Sequence, residues 1–80
     1  TFGSKDLFDH LYKEYINEPF TSIELIGLCT DICVISNALL AKAYFPNINI
    51  IVDSTCCAGV TIESHQKALD TMKMCQITIL

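Results

Sequence analysis

Apolar residues near the start of the chain recur at helical spacing. Leu7, Phe8, Leu11, Tyr12 and Tyr15 fall on one face, with charged and polar residues filling the other. Ser4 stands where an N-cap belongs and Asn17–Glu18–Pro19 is a stop, so a helix from Ser4 to about Tyr15 is expected. The pattern then changes to a continuous apolar run, Ile23 to Leu28, closed by Cys29–Thr30, which reads as a buried strand. After it, Thr30 or Asp31 can cap a helix reaching about Tyr44. Val34, Ile35, Ala38, Leu39, Leu40, Ala41 and Ala43 make that helix apolar nearly all round, so it should be buried on most sides. Pro46 and Asn47 end it. Ile48 to Val52 is short and β-branched, hence a strand, with a loop expected from Asp53 to Gly59. Thr61 caps a third helix with Ile62, Leu69 and Met72 inward, and Gln76 to Leu80 reads as a last strand.

Strands alternating with helices imply parallel pairing through right-handed crossovers, an α/β architecture with a Rossmann-like sheet. The 80 residues make one small domain or a piece of one, and a 51% hydrophobic content suits strands that expect cover on both faces. The net charge of −4 and the absence of a basic cluster argue against nucleic acid as a partner. The apolar runs are far too short for a bilayer, so no membrane partner is expected. Five cysteines, Cys29, Cys33, Cys56, Cys57 and Cys75, are an odd number in a helix-rich pattern. They suggest free thiols in a reducing, cytoplasmic setting rather than a disulfide scaffold.

The chemistry concentrates in Ile26-Gly27-Leu28-Cys29-Thr30-Asp31-Ile32-Cys33-Val34, which joins the C-terminal end of a strand to the start of a helix. Open α/β sheets bind ligands there. Cys33 falls in the first helical turn, where free N–H groups and the positive dipole end favour a thiolate, and backbone N–H groups can stabilise an oxyanion. Packing is the competing reading for any cysteine in such a turn. Cys29 and Cys33 are four apart, yet no second ligand pair exists, so a metal site is not expected. The adjacent Cys56 and Cys57 read as small-residue packing at the rim of the site, and Cys75 as a core thiol near a helix end. His65 reads as structural or surface, His10 as solvated, and Asp31 as a residue that caps the helix or orients the turn.

Gly27-Leu28-Cys29-Thr30-Asp31-Ile32-Cys33-Val34 closely resembles the nucleophile motif of the nicotinamidase/isochorismatase-like cysteine hydrolases. Phe2-Gly3-Ser4 with Asp6-Leu7 resembles the segment that opens the preceding helix in that family. Asp53-Ser54-Thr55-Cys56-Cys57-Ala58-Gly59 resembles its Asp-rich strand-end loop, and Glu63-Ser64-His65 with Ala68-Leu69 through Met72 resembles the helix after it. The likeness runs over nearly the whole chain.

The resemblance implies a three-layer α/β/α sandwich with a parallel sheet, of which residues 1–80 would be the C-terminal portion of a single cysteine hydrolase domain. It implies Cys33 as the nucleophile, a thioester acyl-enzyme, and an oxyanion hole from the backbone N–H groups of Cys29 and Cys33. It also implies a cis peptide between Leu28 and Cys29 that aims the Cys29 N–H. The family's triad adds an aspartate and a lysine from its N-terminal half, the lysine just ahead of the segment matching Thr1-Phe2-Gly3. Phe2 is then a candidate for the substrate pocket, with core packing as its other reading. The implied partner is a small amide such as nicotinamide, and homo-oligomers are implied as well. No cofactor is implied within this chain, a divalent metal such as zinc belonging to the N-terminal half. Other superfamily reactions, on isochorismate or on carbamoyl and ureido substrates, are alternatives, as is a non-catalytic piece that pairs with another chain.

Overall fold

The computed structural model describes residues 2–80. Thr1, where the expected lysine-bearing segment would join, lies outside them. Helix α1 spans Lys5–Asn17, strand β1 Ser22–Leu28, a π-helical turn Thr30–Val34, helix α2 Ile35–Tyr44, strand β2 Asn49–Ala58, helix α3 Ile62–Met74 and strand β3 Thr78–Ile79. The strands form one parallel sheet in the order β1-β2-β3, joined through α2 and α3. The α-β-α-β-α-β order expected from the pattern is the order found, with a π turn added ahead of α2.

The helices pack on one another and on the sheet, α1 against α2 and α2 against both α3 and β2. Between them lies the core, centred on Phe8, Ala38, Ala41, Ile50, Val52 and Met72. Two small alanines on successive turns let α2 approach its neighbours closely, and the larger Phe8, Ile50 and Met72 fill the space around them. At the far end, Tyr15, Phe20 and Phe45 meet with ring centroids 5.1 to 5.4 Å apart and close the seam between α1, α2 and the start of β1.

Four expectations are corrected. β1 is not buried on both sides: Ile23 and Leu25 face the helices, while Ile26 and Leu28 on the other face are 61% and 71% exposed. Among the described residues the helices cover one face of the sheet, so the continuous apolar run finds cover on that face alone. The stretch from Asp53 is not a loop, because β2 continues to Ala58. Upstream, Ser22 to Leu25 pair with Asn49 to Val52. Downstream, Gly27 and Leu28 pair with Cys57 and Ala58, so Asp53 to Cys56 arch out opposite Ile26 alone. Ile62 is 91% exposed rather than inward, because Ala68, Leu69 and Met72 form the buried face of α3. Cys75 is exposed rather than a core thiol, since it caps the end of α3.

That helix end is a Schellman motif. The Ile77 N–H donates to the Met72 carbonyl at 3.0 Å and the Gln76 N–H to the Lys73 carbonyl at 3.1 Å, with Gln76 at φ 67°. Glutamine occupies the left-handed position that glycine takes without a Cβ penalty. Gln76→Gly should therefore raise stability by about 1 kcal/mol. Urea denaturation read by circular dichroism measures it, and an unchanged or lower midpoint refutes it.

Candidate functional site

The segment after β1 is built unlike an ordinary helix start. Gly27 has φ 128°, a conformation that side chains rarely adopt, and no atom would obstruct a Cβ there, so the requirement for glycine is purely one of backbone geometry. The Leu28–Cys29 peptide bond is cis. The Val34 N–H donates to the Cys29 carbonyl, five residues back, at 3.0 Å, and Cys33 sits inside this π turn, half-buried. Single π turns within helices occur frequently at functional sites. No side chain caps the turn, so the expected capping by Thr30 or Asp31 is corrected.

Those two residues instead tie the turn to α3. The Asp31 carboxylate accepts the Val60 N–H at 3.2 Å and the Ser64 hydroxyl. Thr30, fully buried, has its Oγ1 2.8 Å from His65 Nδ1. Ser64 and Thr61 form a reciprocal capping box at the start of α3. A Cβ on Gly59 would lie 2.8 Å from the His65 Cβ, so a bare backbone at 59 lets α3 come this close. His65 is thus tied to the turn through Thr30, the residue next to Asp31. On the other side, Ser36 and Asn37 bond to the Cys33 carbonyl and to the backbone ahead of α1. Sequence reasoning passed over both. Their signal was two polar side chains one turn after Cys33 on an otherwise apolar helix.

The hydrogen bond from Ser64, with a lesser one from Val60, holds the Asp31 carboxyl below its ordinary range. A depressed carboxyl pKa stabilises the fold above the ordinary carboxylate range, and the contribution is lost as pH falls through the lower folded value. Asp31→Asn should therefore have a flatter melting-temperature profile than the wild type between about pH 5 and pH 3. Parallel profiles would refute the link.

Beside Cys33 lies an open depression of about 190 Å³ lined by Leu7, Leu25, Ile26, Leu28, Val34 and Asn37. Phe2, the expected pocket residue, is 72% exposed and lines neither this depression nor the core. The apolar wall beside the thiol comes from β1 and α1 instead. A second depression of about 260 Å³ runs from Cys57 to His65 without reaching Cys33. Of the two adjacent cysteines, Cys57 is half-buried with its thiol pKa raised by that burial. Cys56 is exposed, beside an Asp53 carboxyl lowered chiefly by the Thr55 hydroxyl. All five thiols are free. Among the described residues, no cluster of three or more His, Cys, Asp or Glu side chains could hold a metal ion, and no helix is long and apolar enough to cross a membrane. His10 is on the solvent side of α1, 3.6 Å from the Glu14 carboxylate.

Residues 2–80 match the family model of the isochorismatase domain. No curated protein matches the sequence. Among solved structures, the chain is similar to the pyrazinamidase/nicotinamidase of Streptococcus mutans, with 30% identity and a TM-score of 0.73 over 88% of this chain. It is similar to the nicotinamidase of Bacillus subtilis, with 28% identity and a TM-score of 0.74 over 86% of this chain. It shares the fold of the pyrazinamidase of Pyrococcus horikoshii in complex with zinc, with 24% identity and a TM-score of 0.77 over 88% of this chain. The chain spans 38% of the length of each of these three.

Proposed function

The chain belongs to the nicotinamidase/isochorismatase-like cysteine hydrolase superfamily, and from that premise we propose that it carries the nucleophile of a hydrolase acting on small amide C–N bonds. The observation that carries this reading is the placement of Cys33. It stands in the turn between β1 and α2, half-buried, and lines an open, mostly apolar depression of about 190 Å³.

In the proposed reaction the Cys33 thiolate attacks the amide carbonyl carbon and a C–S bond forms. The carbonyl oxygen takes up the negative charge and is met by the backbone N–H groups of Cys29 and Cys33. Collapse of this intermediate breaks the C–N bond, and ammonia leaves with a proton supplied by a general acid. Water then attacks the thioester, the C–S bond breaks, the carboxylic acid departs and the thiol is restored. The acid–base group, an aspartate, and a lysine beside it come from polypeptide outside these 80 residues, as does any divalent metal such as zinc. Nicotinamide is the first substrate to try, because two of the similar structures are nicotinamidases. The test is a panel of small amides assayed for ammonia release by the full-length protein. Turnover of nicotinamide or pyrazinamide supports the reading, and turnover of none of the panel refutes it.

A further inference from the structure

The turn that carries Cys33 is clamped from behind. Asn37 donates from Nδ2 to the Cys33 carbonyl at 2.8 Å and accepts the Ser4 N–H on Oδ1 at 2.8 Å. Ser36 repeats the arrangement one residue earlier. Its hydroxyl donates to the same carbonyl at 3.1 Å and accepts the Gly3 N–H at 3.0 Å. Two side chains thus join the same two backbone stretches, the nucleophile turn and the segment leading into α1. Helix packing does not require this. α1 and α2 already meet further along, where Phe8 stacks on Tyr44 at 5.8 Å and the Tyr44 hydroxyl donates to Asp9 at 2.7 Å. The depression beside Cys33 draws its walls from four elements, with Leu7 of α1 on one side and Ile26 and Leu28 of β1 on another. Leu7 stands three residues after Ser4, so the clamp fixes the α1 wall relative to the thiol.

We propose that Ser36 and Asn37 are positioning residues. They hold the first turn of α1 in register with Cys33 and thereby set where a bound amide lies relative to the sulfur. The inference rests on the amidase reading above. Attack on a carbonyl demands a near-attack geometry, and a displacement of about 1 Å in the positioning groups can cost a hundredfold in rate. A wall that has lost its tether still binds an apolar ring but presents the carbonyl badly, so the loss falls on kcat and not on KM.

The test compares Asn37→Val with Asn37→Thr in the full-length protein. Valine and threonine have nearly the same shape, but only threonine has a hydroxyl that can donate to the carbonyl four residues back and accept from Ser4, as the Ser36 hydroxyl does for its own pair. Asn37→Val should lower kcat between about tenfold and a hundredfold with KM within about twofold, and Asn37→Thr should restore most of the loss. Equal kcat in the two variants, or a loss confined to KM, overturns the proposal. Because Asn37 itself lines the depression, Ser36→Ala against Ser36→Thr, at a residue outside the lining, makes the same comparison and also stands in should neither Asn37 variant fold: a kcat loss restored by threonine supports the clamp, and equal kcat overturns it. Cys33→Ala is run alongside. Hydrolysis that persists without the thiol removes the nucleophile reading. Cys33-dependent hydrolysis that is indifferent to residue 37 removes the clamp alone.

Discussion

Replacing Cys33 by alanine in the full-length protein is expected to abolish amide hydrolysis, with kcat falling by roughly four to six orders of magnitude. The loss is this large because the nucleophile acts as a unit with its acid–base partners, and none of the remaining groups can form the acyl-enzyme. The fold should survive the change. Cys33 is only half-buried and lies outside the central core, so the thermal melt should shift by no more than a few degrees. A companion experiment treats the wild type with limiting iodoacetamide and maps the adduct by mass spectrometry. Cys56 and Cys75 are the exposed thiols, whereas Cys33 is half-buried. If accessibility governed, Cys56 and Cys75 would be labelled first. Preferential labelling of Cys33 therefore reports intrinsic reactivity. Equal turnover in the wild type and the alanine variant would sink the mechanism.

The second large effect concerns the 80 residues expressed by themselves. This polypeptide should hydrolyse amides at less than a thousandth of the rate of a full-length protein, since losing partners of the nucleophile costs several orders of magnitude. It should also associate with itself. Among the described residues β1 pairs only with β2, so its other edge is unpaired, and Ile26 and Leu28 leave an apolar face beside that edge. Unpaired edges next to apolar surface template pairing with other chains. Light scattering should show oligomers that Ile26→Glu shifts toward monomer. A monodisperse wild-type monomer would contradict the association, and amide turnover by the isolated polypeptide would contradict the need for groups beyond it.

Where one physical rule acted alone, the sequence announced the structure. Helical spacing and the capping of α3 by Thr61 depend on local chemistry; the cap is in place, and Phe8, Leu11 and Tyr15 pack on the core, whereas Leu7 and Tyr12, expected on the same face, are 48% and 46% exposed. The turn at Cys33 was legible through its resemblance to the family's nucleophile motif, since position alone leaves packing as a competing reading for the cysteine. What was not legible depends on contacts distant in sequence. Ile26 and Leu28 look like any buried strand until the helices are seen to lie on one face. Asp31 has the chemistry of a cap, and only the approach of Val60 and Ser64 makes it a tie between elements. Asp53 to Cys56 have the composition of a loop, but β2 runs through them because Leu80 continues the pairing, donating its N–H to Val52 and accepting that of Ser54. Ser36 and Asn37 show why polar residues on an apolar helix merit separate scrutiny, since their partners at Gly3 and Ser4 are invisible to any periodicity.

The arch in β2 behaves as an expansion joint. A strand with a single register transmits every change along its length, since a slip of one residue turns all its side chains over. Here the pairing of Asn49 to Val52 with β1 and that of Cys57 and Ala58 are separated by four residues against one on β1, with Ser54 among the four held on the other edge by Leu80. The half of the sheet that builds the core can drift in sequence, and even gain or lose a residue in the arch, while Gly27 and Leu28 keep their partners and the turn at Cys29 stays where it is. A residue inserted between Thr55 and Cys56 should therefore lengthen the arch and leave the nucleophile turn undisturbed.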